Sequence, residues 1–174
     1  MSELSVDWNC HWRSECQGLD GLEKAASELA AALPRRGVVA LQGEMGAGKT
    51  TLVAALCRCW GVREGVSSPT FSLVQTYLTE AQDARVPARV PARVHHLDLY
   101  RIERDSELDD LDLDGLFFDD ALVFIEWPER AADRLDAGAW LLKIGIGEEG
   151  QRSYQLLRRS DADVVDVADV EDVG

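Results

Sequence analysis

The sequence predicts an α/β fold, with helices packed around a central, mostly parallel sheet that includes some antiparallel strands. Three observations carry this expectation. The short apolar runs GVVALQ (37–42) and ALVFIEW (121–127) suit strands buried on both faces. They alternate with the helix-patterned stretches LEKAASELAAAL (22–33) and KTTLVAALCRCW (49–60). Near the end, AWLLKIGI and RSYQLLRR read as a closing pair of strands. Strands alternating with helices are the pattern of a parallel sheet built from crossover units.

Taken in order, the first helix is rich in alanine and leucine, and PRRG at 34–37 ends it. The second opens at Lys49 and is terminated by Gly61. FSLVQTYL (71–78) carries β-branched and aromatic residues and reads as a strand; VHHLDLYR (94–101) reads as another. The acidic run 103–120 suits a solvated helical face, with its interleaved leucines and Phe117–Phe118 packing on one side. ARVPARVPARV (84–94) places proline at every fourth residue, which forbids a helix or a central strand and predicts an extended surface loop. The last fifteen residues, 160–174, hold six acids and no base, a composition that predicts a disordered tail. Residues 1–159 are therefore expected to form one domain.

Composition narrows the partners. With 32 acids against 18 bases the net charge is −14, a field that repels a phosphate polymer unless a basic patch stands apart from it. The sequence has no such patch, so it is not expected to hold nucleic acid by itself. It has no apolar run of membrane-spanning length, and its N-terminal stretch lacks the apolar core of a secretion signal. A cytoplasmic location is expected. Cys10, Cys16, Cys57 and Cys59 form no CxxC pair and share no metal-ligand spacing with His11, His95 or His96, so free thiols are expected.

The chemistry is concentrated in GEMGAGKT (43–50), directly after the apolar run VVAL. It fits G-x-x-x-x-G-K-[ST], the phosphate loop, in the strand-to-helix setting that motif requires. Glycines let backbone N–H groups turn inward around phosphate oxygens, and the following helix adds its positive end. Gly43, Glu44, Met45, Gly46, Ala47, Gly48, Lys49, Thr50 and Thr51 are thus the expected nucleotide contacts. Lys49 reaches the outer phosphates and the Thr50 hydroxyl is a Mg²⁺ ligand. This motif extends the fold expectation to a three-layer P-loop NTPase-like domain.

Such a loop needs a carboxylate to complete the magnesium site. Glu126, ending LVFIE, stands where a parallel strand opens onto the loop's crevice; a surface Glu after a strand is the plainer reading. Asp98 follows VHHL at another strand end and suits a water-orienting carboxylate, while an ordinary turn residue accounts for the same pattern. Thr70, in SSPTF, has a hydroxyl suited to sensing a γ-phosphate, and it also suits a simple turn.

Together, GEMGAGKTT, SSPTFSLVQTY, HHLDLYRI and FIEWPE, in this order and spacing, resemble the bacterial TsaE family of tRNA threonylcarbamoyladenosine biosynthesis proteins. The resemblance implies a small Mg²⁺-dependent ATPase, slow on its own. It implies action with the TsaB and TsaD proteins, which install threonylcarbamoyl on the adenosine beside the anticodon of tRNAs reading ANN codons. The tRNA would be held by those partners, in agreement with the charge. By the same resemblance Lys49 contacts phosphate, Thr50 and Glu126 hold Mg²⁺, and Asp98 is the catalytic carboxylate. Thr70 and Trp127 fall at switch-like and nucleotide-site positions. Departures from the family pattern are Leu22 and Ala26, where a Thr and a Gly are common, Asp112 in place of a Gly, and the expanded 84–94 loop.

Two other functions fit a phosphate loop. A small-molecule kinase would need an arginine-bearing lid, for which Arg85, Arg89 and Arg93 are candidates, and an acceptor pocket that the sequence does not reveal. A GTPase would need an N-K-x-D element, but the single asparagine is Asn9, outside any such context.

Overall fold

The computed structural model describes residues 8–69, 71–80, 90–135 and 138–159. Thr70, most of the 84–94 repeat and the acidic tail 160–174 lie outside the described residues.

One seven-stranded sheet organises the chain. Its strands are β1 (Trp8–Cys16), β2 (Gly37–Gln42), β3 (Val74–Leu78), β4 (Arg93–Asp98), β5 (Leu122–Glu126), β6 (Trp140–Ile146) and β7 (Arg152–Arg159). They lie in the order β1-β7-β6-β2-β5-β4-β3. The centre is parallel: β2 pairs with β5 and β6, and β5 pairs with β4. Antiparallel pairings close both flanks, β6–β7 and β7–β1 on one side and β4–β3 on the other. The expected closing pair of strands is therefore β6 and β7.

Strand alternation splits the core into two layers. On one face Val39, Leu41, Leu122 and Phe124 pack with helices α1 (Gly18–Ala32) and α2 (Lys49–Cys59) through Leu29, Leu52 and Leu56. On the other, Val38, Val123 and Ile125 pack with Leu97, Leu108 and Leu113. Those last two come from short helices α3 (Asp105–Asp109) and α4 (Leu113–Phe118), so the acidic run packs its leucines as expected. The aromatic pair divides: Phe117 packs against this layer, whereas Phe118 is exposed. Sheet and two covering layers make the expected three-layer α/β fold, here with a mixed sheet.

Two boundaries differ from expectation, each for a local reason. The strand predicted from residue 71 begins at Val74, because Leu73 takes φ 61° and its N–H turns back to the Pro69 carbonyl at 2.6 Å. The strand predicted to 101 ends at Asp98, whose carboxylate accepts the Tyr100 N–H at 3.0 Å and closes a turn. β1 was not anticipated: WNCHWRSEC is an edge strand exposed along most of its length, although its letters alternate from Trp8 to Arg13 and Trp12 and Cys16 pack at the core. Asp112 takes φ 44°, a left-handed conformation that suits Gly best, and its carboxylate caps α4 by accepting the Gly115 N–H.

Candidate phosphate-loop site at the carboxyl ends of the parallel strands

The loop between β2 and α2 is shaped by backbone demands that the glycines meet. A Cβ on Gly43 would stand 2.8 Å from the Ile144 carbonyl, so the loop can leave β2 this close to β6 only without a side chain. Gly48 caps α2 in the left-handed region at φ 97°. The Lys49 ammonium is buried and donates to the Gly43 and Glu44 carbonyls at 2.8 and 3.0 Å. It also lies 4.5 Å from the Trp127 ring centroid, a cation–π contact. Trp127 is held there by a left-handed turn, φ 59°, that ends β5, and by the Tyr100 ring at 5.0 Å.

The parallel register brings the two predicted carboxylates together. Asp98 and Glu126 are paired positions at the ends of β4 and β5, and Glu126 is paired with Leu41 of β2. Both are 4% exposed, so their charges sit away from bulk water and need donors. Glu126 Oε1 accepts the Thr50 hydroxyl at 2.7 Å, joining the strand end to the first turn of α2. Asp98 Oδ2 accepts the Ser68 hydroxyl at 2.8 Å, while its other oxygen takes the Tyr100 N–H. Asp98 is thus both a turn residue and a wall of the crevice.

Of the residues singled out in the sequence, Gly43 to Thr51, Asp98, Glu126 and Trp127 gather at one edge of the sheet. Thr70 lies outside the described residues. Three further residues belong to the site. His96 Nε2 lies 2.9 Å from Glu126 Oε1. Arg152, from β7, donates to the Ala47 carbonyl at 2.9 Å and to the Gly46 carbonyl at 3.4 Å, which fixes the loop's outer side. Ser68 holds Asp98. The i, i+2 spacing of His96 and Asp98 was a usable signal, since it sets both on one face of β4; nothing local marks Arg152.

Two hollows flank the loop. One of about 240 Å³ is lined by Leu22, Gly46, Ala47, Gly48, Thr51 and Arg152, and it places Leu22 beside the loop while Ala26 is packed in the core. The other, about 640 Å³, opens over Gln42, Gly43, Trp127, Lys143, Ser153 and Gln155. All four cysteines are free, as expected. Burial pushes the Cys57 thiol up to about 12, so it stays protonated.

A Mg²⁺ ion fits the donors present. Among the described residues no group of three or more His, Cys, Asp or Glu is placed to hold a metal. Thr50 and Glu126 offer oxygen donors, and magnesium characteristically uses one or two such ligands and completes its shell with phosphate oxygens and water.

Comparison with known proteins follows the same residues. The family model for threonylcarbamoyl adenosine biosynthesis protein TsaE matches residues 16–155. Proteins named tRNA threonylcarbamoyladenosine biosynthesis protein TsaE are similar in sequence. That of Bacillus subtilis is 34% identical over 113 residues, 64% of each chain. That of Aquifex aeolicus is 33% identical over 138 residues, 78% of this chain and 88% of the relative. That of Mycobacterium tuberculosis is 40% identical over 104 residues, 56% of this chain and 57% of the relative. The matched stretch thus spans a little under two thirds of the Bacillus subtilis relative's length. A crystal structure of Bacillus subtilis YdiB has the same fold, with a TM-score of 0.65 over 88% of this chain and 86% of that one at 20% identity. With the model matched across most of the chain and a relative covered over nearly its whole length, the chain belongs to the TsaE family of threonylcarbamoyl adenosine biosynthesis proteins.

Proposed function

We propose that the chain is a Mg²⁺-dependent ATPase serving threonylcarbamoyl modification of the adenosine next to the anticodon in tRNAs reading ANN codons. It acts in the cytoplasm with the TsaB and TsaD proteins, which hold the tRNA. The observation that carries this reading is the convergence of Lys49, Thr50, Glu126 and Asp98 at the mouth of one phosphate loop.

The loop N–H groups and the start of α2 bind the phosphates, and Lys49 donates to their oxygens. Magnesium held by Thr50 and Glu126 supplies charge neutralisation at the phosphates. Asp98, whose carboxylate is held by the Ser68 hydroxyl and the Tyr100 N–H, orients the attacking water and takes up its proton as the water oxygen bonds to the γ-phosphorus and the bond to the ADP oxygen breaks. Trp127 closes one wall with its ring, and Arg152 holds the loop's outward carbonyls so that its N–H groups stay turned in. Among the described residues no helix is long and apolar enough to cross a membrane.

A pull-down with TsaB and TsaD under ATP, ADP and no nucleotide tests the partnership: nucleotide-dependent capture is expected, and no capture under any of the three overturns it. Phosphate release by the isolated chain tests the chemistry. It should be slow, and Lys49→Ala and Asp98→Asn should each reduce it by about 100-fold or more. One observation favours a second reading, a small-molecule kinase: the hollow of about 640 Å³ beside the loop has the size of an acceptor pocket. ATP consumption without phosphate release, on addition of a metabolite, would favour that reading.

A further inference from the structure

Buried polar atoms without a partner are uncommon. Among the described side chains there are two, His96 Nδ1 and Arg158 Nε. Arg158 rests on the Trp140 ring, 5.1 Å from its centroid, on the antiparallel flank. His96 is different. Its side chain is 0% exposed and lies directly behind the carboxylate at the mouth of the phosphate loop.

The arrangement follows from strand alternation. His96 and Asp98 share one face of β4, and Phe124 and Glu126 share the matching face of β5, with His96 opposite Phe124 and Asp98 opposite Glu126. The imidazole therefore lies one step deeper than the crevice, beneath Glu126. Nε2 faces Oε1 at 2.9 Å, so this nitrogen carries the proton and donates it. Nδ1 meets no hydrogen-bond partner among the described residues. Thr50 donates to the same Oε1 at 2.7 Å. Both side-chain donors converge on one oxygen, and Oε2 is the oxygen left for a cation.

We propose that His96 is a positioning residue: as the Nε2–H tautomer it fixes the Glu126 carboxylate by Oε1, so that Oε2 is presented to the Mg²⁺ ion. This rests on the reading of Thr50 and Glu126 as the magnesium site. Partners one shell out from a metal ligand typically set metal affinity by about 10–100-fold, and removing one of two donors leaves a buried carboxylate less well satisfied and held by Thr50 alone.

Calorimetric titration with ADP, with and without MgCl₂, tests this on the full chain. His96→Leu should leave magnesium-free ADP affinity within about twofold and raise the Mg²⁺ concentration needed for tightening by about 10–100-fold. His96→Gln, whose amide keeps an N–H donor, should recover most of that loss. A His96→Leu protein that weakens both titrations equally, or neither, overturns the inference while leaving the magnesium site standing. Wild-type ADP binding indifferent to Mg²⁺ overturns the site reading and the inference with it. Should His96→Leu not fold, the imidazole ¹⁵N shifts of the wild type decide: a protonated Nε2 is expected, and an unprotonated Nε2 overturns the proposal.

Discussion

Two consecutive histidines on β4 face opposite layers, and each meets a carboxylate. His96 and Glu126 lie 2.9 Å apart with side chains 0% and 6% exposed. His95 and Asp119 lie 3.1 Å apart at 5% and 26%. On the outer side every group is matched: the other His95 nitrogen meets the Thr76 hydroxyl at 2.8 Å, and Asp119 also takes Arg93 at 3.1 Å. That network stitches the β3–β4 flank to the turn before β5. On the inner side one ring nitrogen has no partner, and the carboxylate is shared with Thr50 at the start of α2. A histidine–carboxylate contact is therefore not in itself a site. What distinguishes the inner pair is the third group on the carboxylate, which belongs to the phosphate loop's helix.

Removing each carboxylate in turn is the strongest way to break that comparison. Glu126→Gln should lower Mg²⁺-dependent phosphate release by about 100-fold or more, the scale of losing one preorganised charged group. Asp119→Asn should leave it within about twofold, because its network touches no site residue. A phosphate-release assay on both proteins at saturating Mg-ATP measures the contrast. Equal losses, or none in Glu126→Gln, would erase it.

How much of this was legible depends on how local each cause is. β2 and β5 announced themselves because both faces are buried, which leaves near-continuous apolar letters such as GVVALQ and LVFIE. The phosphate loop is a local motif, and Glu126 and Asp98 were readable as carboxylates ending strands. The pairing of those two, and of Glu126 with His96, needed the register between β4 and β5, thirty residues apart. Arg152 acts on Ala47 across 105 residues, and RSYQLLRR reads only as a strand. β1 was missed although apolar and polar letters alternate from Trp8 to Arg13, because most of the strand is exposed and an irregularity between Cys10 and Trp12 interrupts its register.

Arg152 sharpens the contrast at an intermediate size, since it supports the site through backbone rather than through a carboxylate. One hydrogen bond from a charged group is worth about 1.5 kcal/mol, or about tenfold in affinity. Arg152→Ala should thus raise the KM for ATP by up to about tenfold and change kcat little, because it preforms the loop without touching the phosphates. Arg152→Lys should fall between the two. A drop confined to kcat would place Arg152 in the chemistry instead of the loop's support.

The smallest effect belongs to the outer pair, and it should appear in stability rather than activity. The His95 hydrogen bond, followed by the charge of Arg93, holds the Asp119 carboxyl below its usual 3.8. A carboxylate lowered in the folded state contributes stability that is complete above the unfolded value and is lost as pH falls through the folded one. Asp119→Asn should therefore melt below the wild type at neutral pH, and the gap should narrow once the solution is acidified to about pH 3. Because Asp119 is partly exposed, added salt should shrink the gap as well. Thermal melts over this range measure it. A gap that widened on acidification would mean that Asp119 is stabilising in its protonated form, and the outer network would then need a different account from the ion-paired one its geometry gives.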